Sequence, residues 1–222
     1  MTLQVVGVPG LGEITADCDL AAEIVRCLSG VSWPDGSTGI ADGDILVITS
    51  KVVSKAEGRI VPESDRDAAL TAETEAVVAT KETPRGITQI VRTHHGLVLA
   101  AAGIDASNAP AGFILLLPRD PDASARALRT RVSQLTRARI AVIITDTLGR
   151  PWREGLTDCA IGVAGLEPLD DLRGRADAGG RPMEATILAI ADEIAGAADV
   201  VKGKVSGIPV AIVRGLPDAV ID

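Results

Sequence analysis

Residues 140–162 read IAVIITDTLGRPWREGLTDCAIG, and an apolar, β-branched run within this stretch ends in polar residues. The run from Ile140 to Ile144 is typical of a buried strand, because β-branched side chains pack well in sheets. Asp146 and Thr147 are poor residues for extending that strand, but their oxygens are good ligands for a hard cation. The stretch therefore predicts a buried strand that delivers polar groups to the edge of a sheet.

The loop predicted after this strand is rich in glycine and arginine. Arg150 and Arg153 offer forked donors that suit phosphate or carboxylate, and Gly149 and Gly155 allow the backbone to come close to a ligand. Together with Asp146, these residues suggest a metal-assisted site for an anionic substrate. Asp at a strand end is also a common turn residue, and Arg near a Trp can simply stack on the ring, so this stretch alone leaves both interpretations open.

The composition favours an aliphatic core and disfavours some partners. The chain has 222 residues, of which 46% are hydrophobic, with one Phe, two Trp and no Tyr. Its 22 basic and 30 acidic residues give a net charge of −8, which argues against nucleic acid or an anionic membrane as the main partner. An anionic small substrate would therefore need locally gathered Lys and Arg, or a metal.

The cysteines and the start of the chain predict a cytoplasmic protein. Cys18, Cys27 and Cys159 are odd in number and lack C-x-x-C spacing, so they indicate reduced thiols and not a disulfide framework or a zinc site. The first residues lack the basic segment and apolar run of a secretory signal. Since no apolar run is long enough to span a bilayer, membrane insertion is not expected either.

Apolar patterns and turn residues predict an irregular alternation of strands and helices. Strands are predicted at residues 3–8, 45–49, 87–93, 97–101, 114–117, 140–144, 160–164 and 209–213. Helices are predicted at residues 20–28, 65–81, 120–137 and 186–198. Hairpins among these elements favour an α+β fold with a mixed sheet over a doubly wound parallel one. Because no repeat or long linker divides the chain, residues 1–222 are predicted to form a single domain.

Two segments offer phosphate contacts, although no standard nucleotide motif is present. Gly7 to Gly12 lacks the third glycine of a dinucleotide fingerprint, but its backbone N–H groups could face phosphate or a base. Lys51 and Lys55 would share one face of a helix just beyond a strand, where phosphate oxygens could meet them. The alternative for Gly7 to Gly12 is a structural turn. The alternative for Lys51 and Lys55 is a solvated basic face of the helix.

Asp105, Ser107 and Asn108 form a second polar segment after an apolar run, as Asp146 and Thr147 do. Two such segments could share one or two divalent ions that bridge phosphate oxygens. Turns rich in Asp and Asn are common, so a structural turn is the alternative for each segment.

Two basic or histidine pairs have simple structural explanations. Lys202 and Lys204 suit the C-terminus of a helix, which favours cations, and phosphate contact is the alternative. His94 and His95 could bind metal, but adjacent residues of a strand point to opposite faces, so a hairpin turn is the simpler interpretation.

Seven segments closely resemble the coenzyme F420-0:L-glutamate ligase family, the γ-glutamyl ligases of the deazaflavin coenzyme. The resemblance extends from Leu3 to Leu216, and TSKVVSKAEGR, AAGIDASN and ITDTLGRPWR are uncommon enough to make it specific. The segments are GLGEI (10–14), DGDILVITSKVVSKAEGRIV (42–61), HGLVLAAAGIDASN (95–108), LLPRDPDASARALR (116–129), ARIAVIITDTLGRPWREGLTDCAIG (138–162), ADEIAGAADVVKGK (191–204) and IPVAIVRGL (208–216).

The resemblance implies a two-lobed α+β fold in an intertwined homodimer, and GTP-dependent amide formation. The terminal carboxylate of F420-0 would take the γ-phosphoryl group of GTP, and the amine of L-glutamate would then displace phosphate. Further rounds would use the γ-carboxylate of the glutamate already added. A carboxylate nucleophile needs no base, whereas two anions brought together need metal and Lys to offset their repulsion.

The same resemblance implies roles for individual residues. GTP would be contacted by Leu11, Gly12, Glu13, Ile14, Ser50, Lys55 and Asn108. The metal, Mg²⁺ or Mn²⁺, would be held by Asp105, Asp146 and Thr147. The predicted catalytic residues are Asp146, Lys55, Arg150 and Arg153. We assign the two arginines to substrate anions, either the phosphodiester or the glutamate carboxylates.

The sequence departs from relatives in two places. Some family members carry an acidic or amide residue near the position of Lys204 that joins the metal site, so no third ligand is expected there. Some also carry a C-terminal nitroreductase-like domain, whereas this chain stops at Asp222. The expectation is therefore either a stand-alone ligase or the ligase domain of such a fusion, without a bound flavin. The alternative functions are a metal-dependent phosphate-ester hydrolase and a non-catalytic nucleotide-binding module.

Overall fold

The computed structural model describes residues 2–83 and 86–221. Its helices are α1 (Leu20–Leu28), α2 (Ser50–Ala56), α3 (Arg66–Glu73), α4 (Pro121–Thr136) and α5 (Ile190–Lys202). Its strands are β1 (Gln4–Gly7), β2 (Ile45–Thr49), β3 (Ile60–Pro62), β4 (Thr74–Thr83), β5 (Gly86–Thr93), β6 (Val98–Ala100), β7 (Phe113–Leu115), β8 (Ala141–Gly149), β9 (Leu156–Ala164), β10 (Asp170–Asp171), β11 (Ile187–Leu188) and β12 (Val210–Arg214).

The largest sheet has five strands in the order β1–β12–β2–β8–β9. β2 and β8 run parallel, and the other neighbours are antiparallel. On β2, Leu46 and Ile48 pack into the core on one face, whereas Ile45 and Val47 pack into the core on the other. Both faces are therefore covered, which explains the continuous apolar run of this strand. The predicted mixed-sheet α+β fold is confirmed.

Helices cover the two faces of this sheet. α1 and α4 pack on one face and α5 on the other. The side chain of Asp19 accepts a 3.0 Å hydrogen bond from the Ala22 N–H, and Asp120 accepts one of 2.8 Å from Ala123, so both carboxylates cap helix N-termini. The helix predicted at residues 20–28 and the helix that follows Asp120 are thereby confirmed.

A second, smaller core lies beside the three-stranded sheet β4–β5–β6. The helix predicted at residues 65–81 is wrong beyond Glu73, because residues 74–83 form β4. Pairing with β5 runs from Thr74 opposite Thr93 to Thr83 opposite Gly86. These cross-strand contacts outweigh the local helix preference of Ala and Glu. The predicted hairpin with its turn at residues 94–96 is confirmed by β5 and β6.

β8 is longer than predicted. It continues to Gly149, so Asp146 and Thr147 lie inside a strand and not in a loop. They are tolerated there because β9 pairs with this part of the strand, with Asp146 opposite Cys159 and Thr147 opposite Asp158. β9 accordingly begins at Leu156, four residues before the predicted strand, and the connecting loop shortens to residues 150–155.

The end of the chain differs slightly from its prediction. The helix predicted from residue 186 begins at Ile190, because β11 pairs with β10 just before it. Within the described residues the three cysteines are free, and no helix is both long and apolar enough to cross a membrane.

Candidate functional site

A cleft of about 700 Å³ opens where the parallel strands β2 and β8 reach their C-terminal ends. It is bounded by the loop after β1, the first turns of α2, residues 108–110 and the loop after α5. Of the predicted site residues, it is lined by Leu11, Gly12, Glu13, Ile14, Lys55, Asn108 and Thr147. Segments far apart in sequence therefore meet at one cleft, as the predicted nucleotide site requires.

Lysine is concentrated around this cleft. The chain contains five lysines, and four of them line the cleft. They are Lys51, Lys55, Lys202 and Lys204. A protein with a net charge of −8 thus presents its ammonium groups at one place, which favours an anionic ligand there.

The two lysines of α2 are each held by a carboxylate from another segment. Lys51 Nζ lies 2.8 Å from a carboxylate oxygen of Asp105, and Lys55 Nζ lies 2.5 Å from Glu13 Oε1. The Lys55 side chain is only 8% exposed, whereas that of Glu13 is 70% exposed. A phosphate could replace the solvated Glu13 carboxylate without leaving the buried ammonium unpaired.

Asp105 is strongly stabilised as a carboxylate. Burial opposes its ionisation, but hydrogen bonds from Lys51 and Ser107 outweigh burial and lower the pKa of Asp105 to about 2. The Ser107 hydroxyl and N–H both donate to this carboxylate, at 2.6 and 2.8 Å. Asp105 therefore carries its negative charge throughout the neutral pH range.

Asp146 lies in a drier environment. The Ser50 hydroxyl, at the first residue of α2, donates a 2.9 Å hydrogen bond to Asp146 Oδ1. Burial raises the pKa of Asp146, and the Ser50 hydrogen bond and the charge of Lys51 only partly oppose this effect. Additional positive charge nearby would favour the ionised form.

The predicted metal ligands have the right chemistry for a hard divalent cation. Asp105 and Asp146 both lie under the influence of the Lys51 charge, and Thr147 offers a hydroxyl at the cleft. Carboxylate and hydroxyl oxygens suit Mg²⁺ or Mn²⁺. Within residues 2–83 and 86–221, no three His, Cys, Asp or Glu side chains gather as a metal site, so the available set is two carboxylates and one hydroxyl.

A buried polar network behind Thr147 was missed by the sequence analysis. Lys202 Nζ lies 2.7 Å from Asp158 Oδ2, and the two side chains are only 4% and 5% exposed. Thr145 and Thr147 donate hydrogen bonds of 2.8 Å to the two oxygens of the same carboxylate. Burial opposes ionisation of Asp158, but Lys202 and the two hydroxyls lower its pKa. Recognition of residues 141–164 as one hairpin would have placed Asp158 opposite Thr147.

Lys202 and Lys204 lie at the C-terminal end of a helix, as predicted. Lys202 ends α5, where the helix dipole favours a cation. Lys204 donates a 3.2 Å hydrogen bond to Thr147 Oγ1. The hydroxyl of a predicted metal ligand thus lies beside an ammonium group.

Arg150 and Arg153 lie in the exposed turn between β8 and β9, and neither lines the cleft. Arg150 donates a hydrogen bond to the backbone carbonyl of Glu154 in the same turn. The extension of β8 beyond Thr147 carries the turn about 10 Å along the strand direction, at roughly 3.3 Å per residue. Their assignment to substrate anions stays a prediction.

Comparison with known proteins identifies the family. The model of the F420-0:Gamma-glutamyl ligase family matches residues 10–215. A Methanothermobacter thermautotrophicus protein named coenzyme F420:L-glutamate ligase is 40% identical, with 98% of this chain and 90% of that protein aligned. Proteins of the same name from Methanopyrus kandleri and Archaeoglobus fulgidus are 38% and 40% identical, each covering 97% of this chain and 88% and 89% of their own length. The resemblance of the seven segments is confirmed, and the chain belongs to the F420-0:gamma-glutamyl ligase family.

Proposed function

We propose that this protein is a GTP-dependent ligase that adds L-glutamate to coenzyme F420-0 and then to the γ-carboxylate of the growing tail. The observation that carries the proposal is the concentration of four of the five lysines around the cleft that six of the seven predicted nucleotide residues line. The names of the three relatives supply the substrates, F420 and L-glutamate.

GTP is proposed to occupy the cleft. Its volume of about 700 Å³ falls within the range of small-molecule sites. The proposed contacts are Leu11 to Ile14, Ser50, Lys55 and Asn108. Lys55 would exchange its Glu13 partner for phosphate oxygens, because a buried ammonium group requires an anionic partner.

Mg²⁺ or Mn²⁺ is proposed to be held by Asp105, Asp146 and Thr147. When bound, the metal supplies positive charge that offsets the repulsion between the phosphates and the substrate carboxylate. The proposal is supported by the donor types and by the dry environment of Asp146, whose ionised form gains from a cation. Lys51, already paired with Asp105, would remain close to the same charges.

The proposed reaction has two steps. A carboxylate oxygen of F420-0 attacks the γ-phosphorus of GTP, the bond to the β,γ-bridging oxygen breaks, and GDP leaves. The amine of L-glutamate then attacks the acyl carbon, the carbon–oxygen bond breaks, and phosphate leaves with the amine proton. Lys51 and Lys55 offset the negative charge that gathers when the two anions meet. Arg150 and Arg153 are proposed to bind the substrate phosphodiester or the glutamate carboxylates.

A homodimer is proposed because the small sheet exposes apolar side chains. These are Val77, Val78, Ile87 and Val98, which are 55%, 57%, 73% and 53% exposed. Val77 and Ile87 lie on the same face as Val91, whereas Val98 lies opposite Arg92, so aliphatic side chains are exposed on both faces of this sheet. A second copy of the chain would cover them in the two-lobed, intertwined arrangement expected for the family.

Phosphate release from GTP tests the proposed function against its alternatives. The protein is incubated with GTP and Mn²⁺ alone, with F420-0, with L-glutamate, and with both. Release only with both acceptors is the expected result. Release without either acceptor would favour a phosphate-ester hydrolase, and no release in any mixture would favour a non-catalytic nucleotide-binding module.

A further inference from the structure

The hydroxyl of Thr147 has a defined orientation at the cleft. Its proton is donated to Asp158 Oδ1 at 2.8 Å, and its oxygen accepts a 3.2 Å hydrogen bond from Lys204. A hydroxyl has one proton and two lone pairs. Because Asp158 takes the proton and Lys204 occupies one lone pair, Thr147 can offer only its second lone pair to a ligand in the cleft.

Asp158 is itself fixed by its other partners. Its second oxygen, Oδ2, accepts hydrogen bonds from the Thr145 hydroxyl at 2.8 Å and from Lys202 Nζ at 2.7 Å. Lys202 also donates to Thr145 Oγ1 at 2.7 Å, which closes a triangle of three side chains. The carboxylate therefore cannot rotate without breaking contacts with donors that are buried.

The charges of this pair are costly to bury. Asp158 and Lys202 are 4% and 3% exposed as residues, and a buried ion pair commonly contributes no more stability than apolar residues of the same size. Their position suggests a second reason for burying them, since both line the cleft beside Thr147 and Asp158 accepts the proton of its hydroxyl.

We propose that Asp158 is a positioning residue that holds the Thr147 hydroxyl with its remaining lone pair directed at a divalent cation in the cleft, and that Lys202 fixes Asp158. The inference rests on the proposed function, in which Thr147 is a metal ligand. Asp158 also lines the cleft, but both of its oxygens are already held by Thr145, Thr147 and Lys202, so it is proposed to act through Thr147.

The informative substitution is Asp158→Asn. Two donors, Lys202 and Thr145, face the Oδ2 side, so the amide oxygen must remain there and the amide nitrogen must face Thr147. That nitrogen would donate to Thr147 Oγ1 and turn the hydroxyl proton towards the cleft. The substitution replaces one oxygen by an NH₂ group. The new amide and Lys204 would then occupy both lone pairs of Thr147, so that none is left for the metal.

Mn²⁺ is titrated into the full chain, with and without GTP, and free Mn²⁺ is followed by electron paramagnetic resonance. Asp158→Asn and Thr147→Val should each raise the dissociation constant of Mn²⁺ by about 10- to 100-fold, the usual effect of changes around a metal site. The double variant should bind Mn²⁺ about as weakly as Thr147→Val alone, because both changes remove the same interaction. Thr147→Ser keeps the hydroxyl and should bind like the wild type.

Asp44→Asn is the matched control. Asp44 is also a buried carboxylate paired with a cation, Arg214 at 2.7 Å, but it lies at the opposite end of β2 from the cleft. The Asp44→Asn variant should have a lower melting temperature than the wild type but the same affinity for Mn²⁺. If Asp158→Asn does not fold, Asp158→Asn combined with Lys202→Met removes both charges, and the same weakening of Mn²⁺ binding is expected from this variant.

The outcomes separate this inference from the proposed function. Additive losses for Asp158→Asn and Thr147→Val, or unchanged affinity in folded Asp158→Asn, would overturn the positioning role while leaving the metal site in place. Wild-type protein that binds no Mn²⁺ with or without GTP would overturn the metal site, and the positioning role with it.

Discussion

The ammonium group of Lys51 lies 2.8 Å from the carboxylate of Asp105. The charge of Lys51 also favours ionisation of Asp146, which comes from a different strand. One lysine at the start of α2 thus influences both carboxylates that the sequence assigned to a metal. The relationship places positive and negative groups at the end of the parallel strand pair, where a charged substrate would meet them.

The cleft lysines should be far more important for activity than the lysine outside the cleft. Lys51→Met and Lys55→Met should each lower kcat/KM by about 10²-fold or more, because a preorganised positive charge is lost where anions meet. Lys81→Met is the matched control, since Lys81 is exposed on β4. Initial rates with GTP, F420-0 and L-glutamate provide the measurement, and equal losses for all three variants would contradict a specific role for the cleft.

Asp146→Ala should abolish turnover and leave the fold intact. The carboxylate is a proposed metal ligand, and it accepts a hydrogen bond from the Ser50 hydroxyl at the start of α2. Circular dichroism and a melting curve check the fold, and product formation with Mn²⁺ checks activity. Retained turnover in folded Asp146→Ala would remove this residue from the mechanism.

Acid should weaken the contribution of Asp105 to stability. Its pKa is lowered from 3.8 to about 2 by Lys51 and Ser107, which outweigh burial. A group with a depressed folded-state pKa stabilises the protein above its unfolded pKa, and this stabilisation is lost as the pH falls through the folded value. The difference in free energy of unfolding between chelator-treated wild type and Asp105→Asn should therefore shrink between about pH 5 and about pH 2. Urea denaturation measures the free energy of unfolding of both proteins at each pH. A difference that stays constant over this pH range would contradict the ion pair between Lys51 and Asp105.

The hairpin behind the site should not tolerate a side chain at Gly162. A Cβ there would lie 2.4 Å from backbone atoms of Pro121, the first residue of α4. Gly162→Ala should lower the free energy of unfolding by about 1–3 kcal/mol, the usual cost of overpacking. At Gly149, in the paired strand, a Cβ would meet no atom within 4 Å, so Gly149→Ala serves as the control in denaturant titrations. Equal stability of the two variants would contradict the close packing of α4 on β9.

Local patterns predicted the elements nearest the site. The strand at residues 45–49 follows directly from an apolar β-branched run, and the spacing of Lys51 and Lys55 explains why both face the cleft from the helix after it. The helices α1 and α4 begin directly after Asp19 and Asp120, whose side chains cap them. Interactions within about one helical turn of each other decide these features, so the sequence alone contains them.

The features that the sequence did not predict depend on pairing between strands that are distant in sequence. Residues 74–83 form a strand because β5 pairs with them, although their own composition allows a helix. The register of β8 with β9 sets Asp158 opposite Thr147 and carries Arg150 away from the cleft. Neither relationship can be seen until the partner strand is known, since a shift of one residue would reverse every side chain.

The most direct test of the central claim is mass spectrometry of F420-0 after incubation with the protein, L-glutamate, GTP and Mn²⁺. The expected result is a product that carries one or more added glutamates, formed with GTP and absent without it. Folded protein that binds Mn²⁺ and GTP but leaves F420-0 unchanged would contradict the proposal that this cleft is the active site of a glutamate ligase.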